Sequence, residues 1–356
     1  MFLNPHGIDM QLLLQILQTH RPSWASTKWF EPLLEWALGS DMHYVKDKHG
    51  NYFVLVGDSE QSDVAFTSHL DTVARPGSAA PDVGCTNKGV LFVKNPQQAD
   101  CLGADCGAGI YLMLEMLRRG VHGRYCFFVD EEVGCEGSAA SVKDDTGFWT
   151  GVKAMVSFDR RGDGIITHQR YMRCCSDTFA KTLAERLGRT EQHLQKGVYT
   201  DSAEFVGIIP ECTNVGVGYM HEHTPDEVLD LNILGQVLER VLQDGTFSHL
   251  PIERDPKVVE PDQWLSASTL SLRQPWDMPP DEDPQLLAAF REVSQLSKQQ
   301  LVSWVQENPA KAAEYIMVFS DYGFKEELIE LGTRVVEDWG GYDNIVGGGG
   351  VEKSKR

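Results

Sequence analysis

Apolar segments of strand length alternate with segments of helical periodicity along the first 245 residues, and this alternation constrains the fold more than any other feature. Such alternation is typical of an α/β sheet with parallel strands. An early hairpin, HYVKDKHGNYFVLVG (43–57), adds antiparallel strands, so we predict a mixed sheet. The other predicted strands are SDVAFTSHL (62–70), RYCFFVD (124–130), VKAMVSFD (152–159) and CTNVGVGY (212–219).

The predicted helices and a change of composition near residue 250 define the domain organisation. Apolar residues recur at helical spacing over 9–38, 107–120, 176–189 and 230–245. We predict one domain over 1–250, a proline-rich acidic linker or strap over 251–284, a helical extension over 285–340 and a disordered tail over 341–356. The extension has three alternative roles, namely covering a sheet edge, forming an oligomer or recruiting a partner.

Composition excludes several classes of partner. The formal net charge of −20 disfavours binding to nucleic acid or to an anionic membrane. The N-terminus lacks the basic and apolar regions of a signal peptide, and no apolar run is long enough to span a membrane. The eight cysteines show no paired spacing, which favours buried reduced thiols. We therefore expect a cytoplasmic protein.

Polar residues follow the predicted strands at the points where the strands end. Ligands of an open α/β sheet bind beyond the carboxyl ends of its strands, so these side chains are expected to meet in one crevice. The motifs are SHLD, GADCGAG, DEEVG, FDRRG and HEHTPDE. They contribute two histidines and five acidic residues: His69, Asp71, Asp105, Glu131, Glu132, Asp159 and His223.

These residue types fit a pair of divalent metal ions. Imidazole and carboxylate ligands suit zinc and related metals, and two ions about 3.5–4 Å apart need one bridging carboxylate. Asp71 and His69 share a face if the strand pattern continues, so Asp71 can hold the second ring nitrogen of His69. The adjacent Glu131 and Glu132 point in different directions, so one can bind metal while the other acts as a general base.

Each motif also has an ordinary structural interpretation. The histidine and aspartate of SHLD are typical of a surface loop, and paired glutamates are typical of a solvated face. Asp105 can serve as a helix N-cap, and Asp159 can pair with Arg160 or Arg161. The interpretation of the five motifs together as one metal site is the stronger one, because each motif falls at the end of a different predicted element.

The ordered set HLDTV, GADCGAG, VDEEVG, SFD and TDSAEF…HTPDE resembles the co-catalytic zinc exopeptidase clan over about residues 10–245. The resemblance implies a three-layer α/β/α fold and two divalent metals, zinc with cobalt or manganese as alternatives. It also implies that Glu131 is the general base, that Asp71 orients His69 and that the Asp105–Cys106 peptide bond is cis. The implied metal ligands are His69 and Asp159 for one ion, Glu132 and His223 for the other, and Asp105 as the bridge.

The resemblance also suggests a branch of the clan. Asp159 and His223 are 64 positions apart, which leaves no room for the lid domain of the carboxypeptidase-like branch, so the chain is more similar to the lid-less aminopeptidases. Thr200 and Asp201 become candidates for the substrate pocket. Cys106 replaces an acidic or amide residue of the family, and we favour a neutral structural role for it.

The leading hypothesis is therefore an aminopeptidase-like hydrolase of peptides. The candidates for binding the free amino group are Asp201, Asp226 and Glu227. The alternative is a deacylase or carboxypeptidase acting on N-acyl amino acids or peptides, with Arg160 or Arg161 binding a substrate carboxylate. An alternative of another class is a binding protein that retains the fold without activity. His221 also competes with His223 as the last ligand, and HTPDE favours His223.

Overall fold

A computed structural model describes residues 7–40, 42–58, 63–169, 172–197 and 199–258. The chain divides at residue 265 into two units, and every described residue lies in the first. The predicted helical extension (285–340), the predicted tail (341–356) and most of the predicted linker (251–284) lie outside the described residues.

Thirteen strands and seven α-helices occur in the described part of the chain. The helices are α1 (Met10–Leu17), α2 (Glu31–Leu38), α3 (Ala104–Arg118), α4 (Glu136–Asp144), α5 (Thr146–Trp149), α6 (Asp177–Arg186) and α7 (Leu231–Val241). The strands are β1 (Tyr44–Lys46), β2 (Tyr52–Val56), β3 (Val64–His69), β4 (Val83–Cys85), β5 (Val90–Val93), β6 (Gly123–Phe128), β7 (Ala154–Arg160), β8 (Ile165–Gln169), β9 (Met172–Arg173), β10 (Leu194–Lys196), β11 (Glu211–Gly216), β12 (Tyr219–Met220) and β13 (Val228–Asp230).

The central sheet is mixed with a parallel centre, as predicted. Its order is β1-β2-β6-β3-β7-β11-β8-β10, with β9 paired to β8. Strands β6, β3, β7 and β11 run parallel to one another, and β1 and β2 form the predicted antiparallel hairpin. Every residue of β3, β6 and β11 is buried, so these strands do not alternate between buried and exposed positions.

Helices cover both faces of this sheet, so the predicted three-layer arrangement is confirmed. Helix α3 packs on β3 and β7, and α1, α2 and α7 pack against α3. Helix α4 and a 3-10 turn, Asp201–Phe205, lie with the other face. A side chain at Gly109 would place its Cβ 2.1 Å from the carbonyl oxygen of Phe158, so glycine is required where α3 approaches β7.

A second sheet, in the order β12-β13-β5-β4, was not predicted. The predicted strand over 212–219 was wrong in one respect, because it is divided between the two sheets. Strand β11 ends at Gly216, and β12 starts at Tyr219 in the second sheet. Gly218 allows this change of direction with a φ of +99°, and a Cβ there would lie 2.8 Å from the carbonyl oxygen of Asp230.

The cysteines are all free thiols, and seven of the eight are buried, in agreement with the prediction of reduced cysteines. Cys85 is the exposed exception. Among the described residues, no helix is both long and apolar enough to cross a membrane.

Candidate metal centre

The predicted site residues come from different elements that end on one side of the sheet. His69 is the last residue of β3, Asp159 lies at the end of β7, and Glu131 and Glu132 follow β6. Asp105 lies in the first turn of α3, and the regular part of this helix begins at the predicted residue 107. The N-cap of α3 is Gly103, and Asp105 and Cys106 have non-helical dihedral angles, so the alternative of Asp105 as a cap is wrong. The Asp105–Cys106 peptide bond is cis, as the resemblance implied.

One half of the cluster surrounds His69. Its Nε2 lies 3.0 Å from Oδ1 of Asp105 and 3.3 Å from Oδ1 of Asp159. All three side chains are buried, and that of His69 is 1% exposed. The structure therefore brings together one imidazole and two carboxylates that the sequence predicted as ligands of one ion.

The other half surrounds His223, which lies between β12 and β13. Its Nε2 is 2.9 Å from Oε2 of Glu132 and 3.3 Å from Oδ2 of Asp105. The two oxygen atoms of Asp105 thus face two different histidines, which is the geometry of a bridging carboxylate. Thr224 donates a hydrogen bond to the carbonyl oxygen of His221.

The cluster fits divalent metal ions. Ligand atoms of His69, Asp105 and Glu132 lie within 4.8 Å of one another, and so do those of His69, Cys106 and Asp159. The Cys106 thiol donates to the carbonyl oxygen of Phe158 at 3.0 Å, and burial raises its pKa well above its usual range. Because this thiol stays neutral, the imidazole and carboxylate groups are the better ligand set.

Crowding of buried acids shifts the pKa values of the cluster. Burial and the charges of Asp159 and Glu132 raise the pKa of Glu131 well above its usual range. Burial and the charge of Asp105 raise the pKa of Glu132 to about 7. Hydrogen bonds to Asp105 and Glu132 raise the pKa of His223 to about 11. The site therefore holds excess buried negative charge, which divalent cations would neutralise.

Asp71 organises both the histidine and the acidic pair. Its Oδ1 lies 3.4 Å from Nδ1 of His69, on the opposite side of the ring from the other carboxylates. It accepts backbone N–H hydrogen bonds from Glu131 at 3.0 Å and Glu132 at 3.3 Å. The hydroxyl of Ser23 donates to its Oδ2 at 2.7 Å, a partner that the sequence did not indicate.

Glu131 lies beside the cluster. Its Oε2 is 4.0 Å from Nε2 of His69, and its side chain is 14% exposed. The thiol of Cys135 donates to its Oε1 at 3.5 Å. Glu131 is thus close to the candidate ligands while one edge of its carboxylate remains open to solvent.

The predicted pocket residues lie behind or beside Asp159. Thr200 is 1% exposed, and its hydroxyl donates to Oδ2 of Asp159 at 2.5 Å. Asp201 is also 1% exposed, and burial raises its pKa to about 7. Arg160 is largely buried and, among the described residues, its Nε has no hydrogen-bond acceptor. Their contact with substrate stays a prediction.

Glu227 has a structural role that the sequence analysis missed. Its side chain is fully buried, and its carboxylate accepts backbone N–H hydrogen bonds from Leu102, Gly103 and Asp105 at 2.7–2.9 Å. The suggestion that Glu227 binds a substrate amino group is therefore wrong, because the carboxylate is already engaged. Of the three residues considered for that task, Asp226 is the exposed one.

Arg21 holds the same loops from the N-terminal segment. Its guanidinium is buried and donates to the carbonyl oxygens of Leu70 and Gly103. Its own carbonyl oxygen accepts the backbone N–H of Thr72 at 2.7 Å. Because it joins the loop after β3 to the start of α3, Arg21 fixes the positions of His69 and Asp105 relative to each other.

Comparison with known proteins agrees with this geometry. The profile of Peptidase family M28 matches residues 52–206. This range includes six of the seven predicted centre residues, from His69 to Asp159, and excludes His223. No curated protein matches the chain. The fold is similar to that of aminopeptidase PepT from Bacillus cereus ATCC 10987, with a TM-score of 0.54 and 15% identity over 67% of this chain and 97% of that one.

A tripeptidase from Staphylococcus aureus is similar to the same degree. Its TM-score is 0.52 at 14% identity, over 67% of this chain and 96% of that chain. The profile match over residues 52–206 and the shared fold confirm the resemblance to the co-catalytic zinc exopeptidase clan that was drawn from the motifs, and they support a metallopeptidase.

Proposed function

We propose that this chain is a metal-dependent exopeptidase that removes N-terminal residues from peptides. The observation that carries the proposal is the position of Asp105, whose two carboxylate oxygens face His69 and His223 separately. A carboxylate placed in this way suits two cations that act on one scissile bond.

The chain's own side chains would hold two divalent ions. His69 and Asp159 would bind one, Glu132 and His223 the other, and Asp105 both. The ions, zinc with cobalt or manganese as alternatives, would polarise the scissile carbonyl and acidify the attacking water.

Glu131 would carry the proton of the reaction. Its carboxylate lies at the edge of the cluster, with Oε2 4.0 Å from Nε2 of His69. From there it would accept a proton from the attacking water and deliver it to the leaving amine. Asp71 would keep His69 in the ligand orientation, because it contacts the ring at Nδ1 and leaves Nε2 facing the cluster.

The proposed class of substrate has separate support. The two similar structures are described as an aminopeptidase and a tripeptidase, and both act at peptide bonds. Asp226 is our candidate for the substrate amino group, since it is exposed and lies three residues after His223. A deacylase or carboxypeptidase acting on N-acyl substrates is the second candidate, because Arg160 offers a guanidinium without an acidic partner among the described residues.

Three further expectations accompany the proposal. We propose residues 1–250 as the peptidase domain and a cytoplasmic setting. Any oligomer formed through the helices predicted over 285–340 stays a prediction. A non-catalytic binding protein would contradict the proposal.

The test compares free and blocked substrates. We expect the zinc-loaded protein to cleave an aminoacyl anilide and to spare its N-acetylated form. Glu131→Gln should lower the turnover number by about 10²–10⁴-fold with metal content unchanged, since a general base contributes that much. Glu136→Gln, a change at an exposed glutamate in the first turn of α4, is the matched control and should retain activity.

Two outcomes would contradict the proposal. Preference for the N-acetylated substrate would favour the deacylase. Full activity of the Glu131→Gln variant would show that another group moves the proton.

A further inference from the structure

Two adjacent arginines follow the candidate ligand Asp159, and among the described residues Arg161 forms an ion pair while Arg160 forms none. Nη1 of Arg161 lies 3.2 Å from Oε1 of Glu222, and its side chain is 48% exposed. Arg160 is the more buried of the two, and its Nε has no hydrogen-bond acceptor among the described residues. In a chain with a net charge of −20, an unpaired and largely buried cation next to the centre requires an explanation.

A buried guanidinium N–H without an acceptor is costly, because it has lost water and gained no partner, and among the described residues the Nε–H of Arg160 is in this position. The backbone of Arg160 is fixed, since Val217 donates its N–H to the Arg160 carbonyl oxygen at 2.9 Å. Burial and the charge of Arg161 lower the pKa of Arg160, and Tyr219, Glu222 and Asp159 act in the opposite direction. Tyr219 also donates to Oδ1 of Asp159 at 3.4 Å, so Arg160 borders the residues that complete the centre.

We infer that Arg160 binds the C-terminal carboxylate of a short peptide substrate. The inference rests on the proposed function and adds the substrate class to it. A planar guanidinium matches a carboxylate with two parallel hydrogen bonds. The acidic neighbours Asp159 and Glu222 disfavour a phosphate dianion at this position, whereas a carboxylate carries a single charge.

The position of Arg160 limits the length of the substrate. Its Cα follows that of Asp159 at about 3.8 Å, and each added residue of an extended peptide spans up to roughly 3.5 Å. We therefore expect a carboxylate held by Arg160 to lie within a few residues of the cleaved bond. Dipeptides and tripeptides with both ends free are the substrates that satisfy both Arg160 and the metal centre.

The experiment measures kcat/KM of the zinc-loaded protein for a tripeptide with a free C-terminus and for its C-terminal amide. We expect the free acid to be preferred by about 10- to 100-fold, the range of a charge-assisted hydrogen bond. Arg160→Gln should abolish this preference by lowering kcat/KM for the acid while leaving the amide nearly unchanged. Arg160→Lys should keep part of it, because the charge remains and the paired geometry is lost.

Arg161→Gln is the matched control. It removes an adjacent arginine that is already paired with Glu222, so the preference for the acid should persist. A series from dipeptide to hexapeptide should show kcat/KM falling beyond three residues.

Three results would overturn the inference. They are equal turnover of acid and amide by the unmodified protein, an equal loss for both substrates in Arg160→Gln, and loss of the preference in Arg161→Gln. The N-acetylated tripeptide separates this inference from the proposed function. If it is cleaved faster than the free peptide and Arg160→Gln still abolishes the acid preference, the aminopeptidase proposal fails and the carboxylate site stands.

Discussion

The two histidines of the centre lie in different kinds of structure. His69 ends β3, between the parallel strands β6 and β7, and its side chain is 1% exposed. His223 lies in the turn between β12 and β13, with a φ of 64° and a side chain that is 51% exposed. Asp71 contacts the far side of the His69 ring. Among the described residues, the ion-pair contacts of His223 are with Asp105 and Glu132.

This difference indicates that the central sheet positions the His69 half of the centre, whereas a surface turn positions the His223 half. The His69 half is formed by buried strand ends, so its geometry is fixed when the sheet folds. The His223 half depends on a turn from the second sheet that reaches the same bridging carboxylate. We therefore expect the His69 half to contribute more to stability and the His223 half to tolerate change with little effect on folding.

The largest expected difference is between His69→Ala and His223→Ala in metal-free protein. Removal of His69 leaves buried carboxylates without their cationic partner, which costs about 3–5 kcal/mol of the free energy of unfolding. Removal of the half-exposed His223 should cost less, about 1 kcal/mol, because solvent screens its ion pairs with Asp105 and Glu132. Urea-induced unfolding measures both, and equal losses would show that the two halves are not distinct.

Asp71→Asn should have the next largest effect, which is a loss of metal affinity at the His69 half of the centre. A carboxylate that orients a ligating histidine contributes about 10- to 100-fold in metal affinity. Competition with a chromogenic chelator would measure the loss. Asp130→Asn is the control. Among the described residues, the Asp130 side chain accepts one hydrogen bond, from the Trp24 backbone N–H to Oδ1 at 2.6 Å, and the side-chain oxygen of asparagine can accept the same bond. Unchanged affinity in Asp71→Asn would contradict the assigned role.

Ser23→Ala should have the smallest effect of these predictions, a slight loss of metal affinity. It removes one hydrogen bond of 2.7 Å to the Asp71 carboxylate, and such a bond contributes about 1 kcal/mol, or about fivefold in affinity. The same chelator competition can resolve this change. Ser26→Ala should leave the affinity unchanged, because among the described residues the Ser26 hydroxyl accepts one long hydrogen bond, 3.4 Å from the Lys28 N–H. Equal effects of the two substitutions would remove Ser23 from the account.

The strands and candidate ligands were predictable because both depend on local pattern. An apolar run that ends in a polar motif marks where a strand leaves the core, as at His69 and Asp159. Strands β4 and β5 were missed because they have only three and four residues, with no alternation strong enough to indicate them.

The supporting contacts were not predictable, because they join distant parts of the chain. Ser23 and Asp71 are 48 positions apart, Arg21 and Gly103 are 82 apart, and Glu227 and Leu102 are 125 apart. The partner of each side chain is decided by how the loops pack in three dimensions, and no periodicity records that choice. Glu227 illustrates the consequence. Its acidic side chain suggested a substrate contact, whereas its buried position makes the carboxylate an acceptor for backbone N–H groups.

Calorimetric titration of the metal-free protein with zinc tests most directly whether two cations share Asp105. We expect two equivalents per chain for the unmodified protein and one for His223→Ala, with the remaining ion bound at the His69 half. A single equivalent in the unmodified protein, or two in His223→Ala, would contradict a centre in which each histidine holds its own ion.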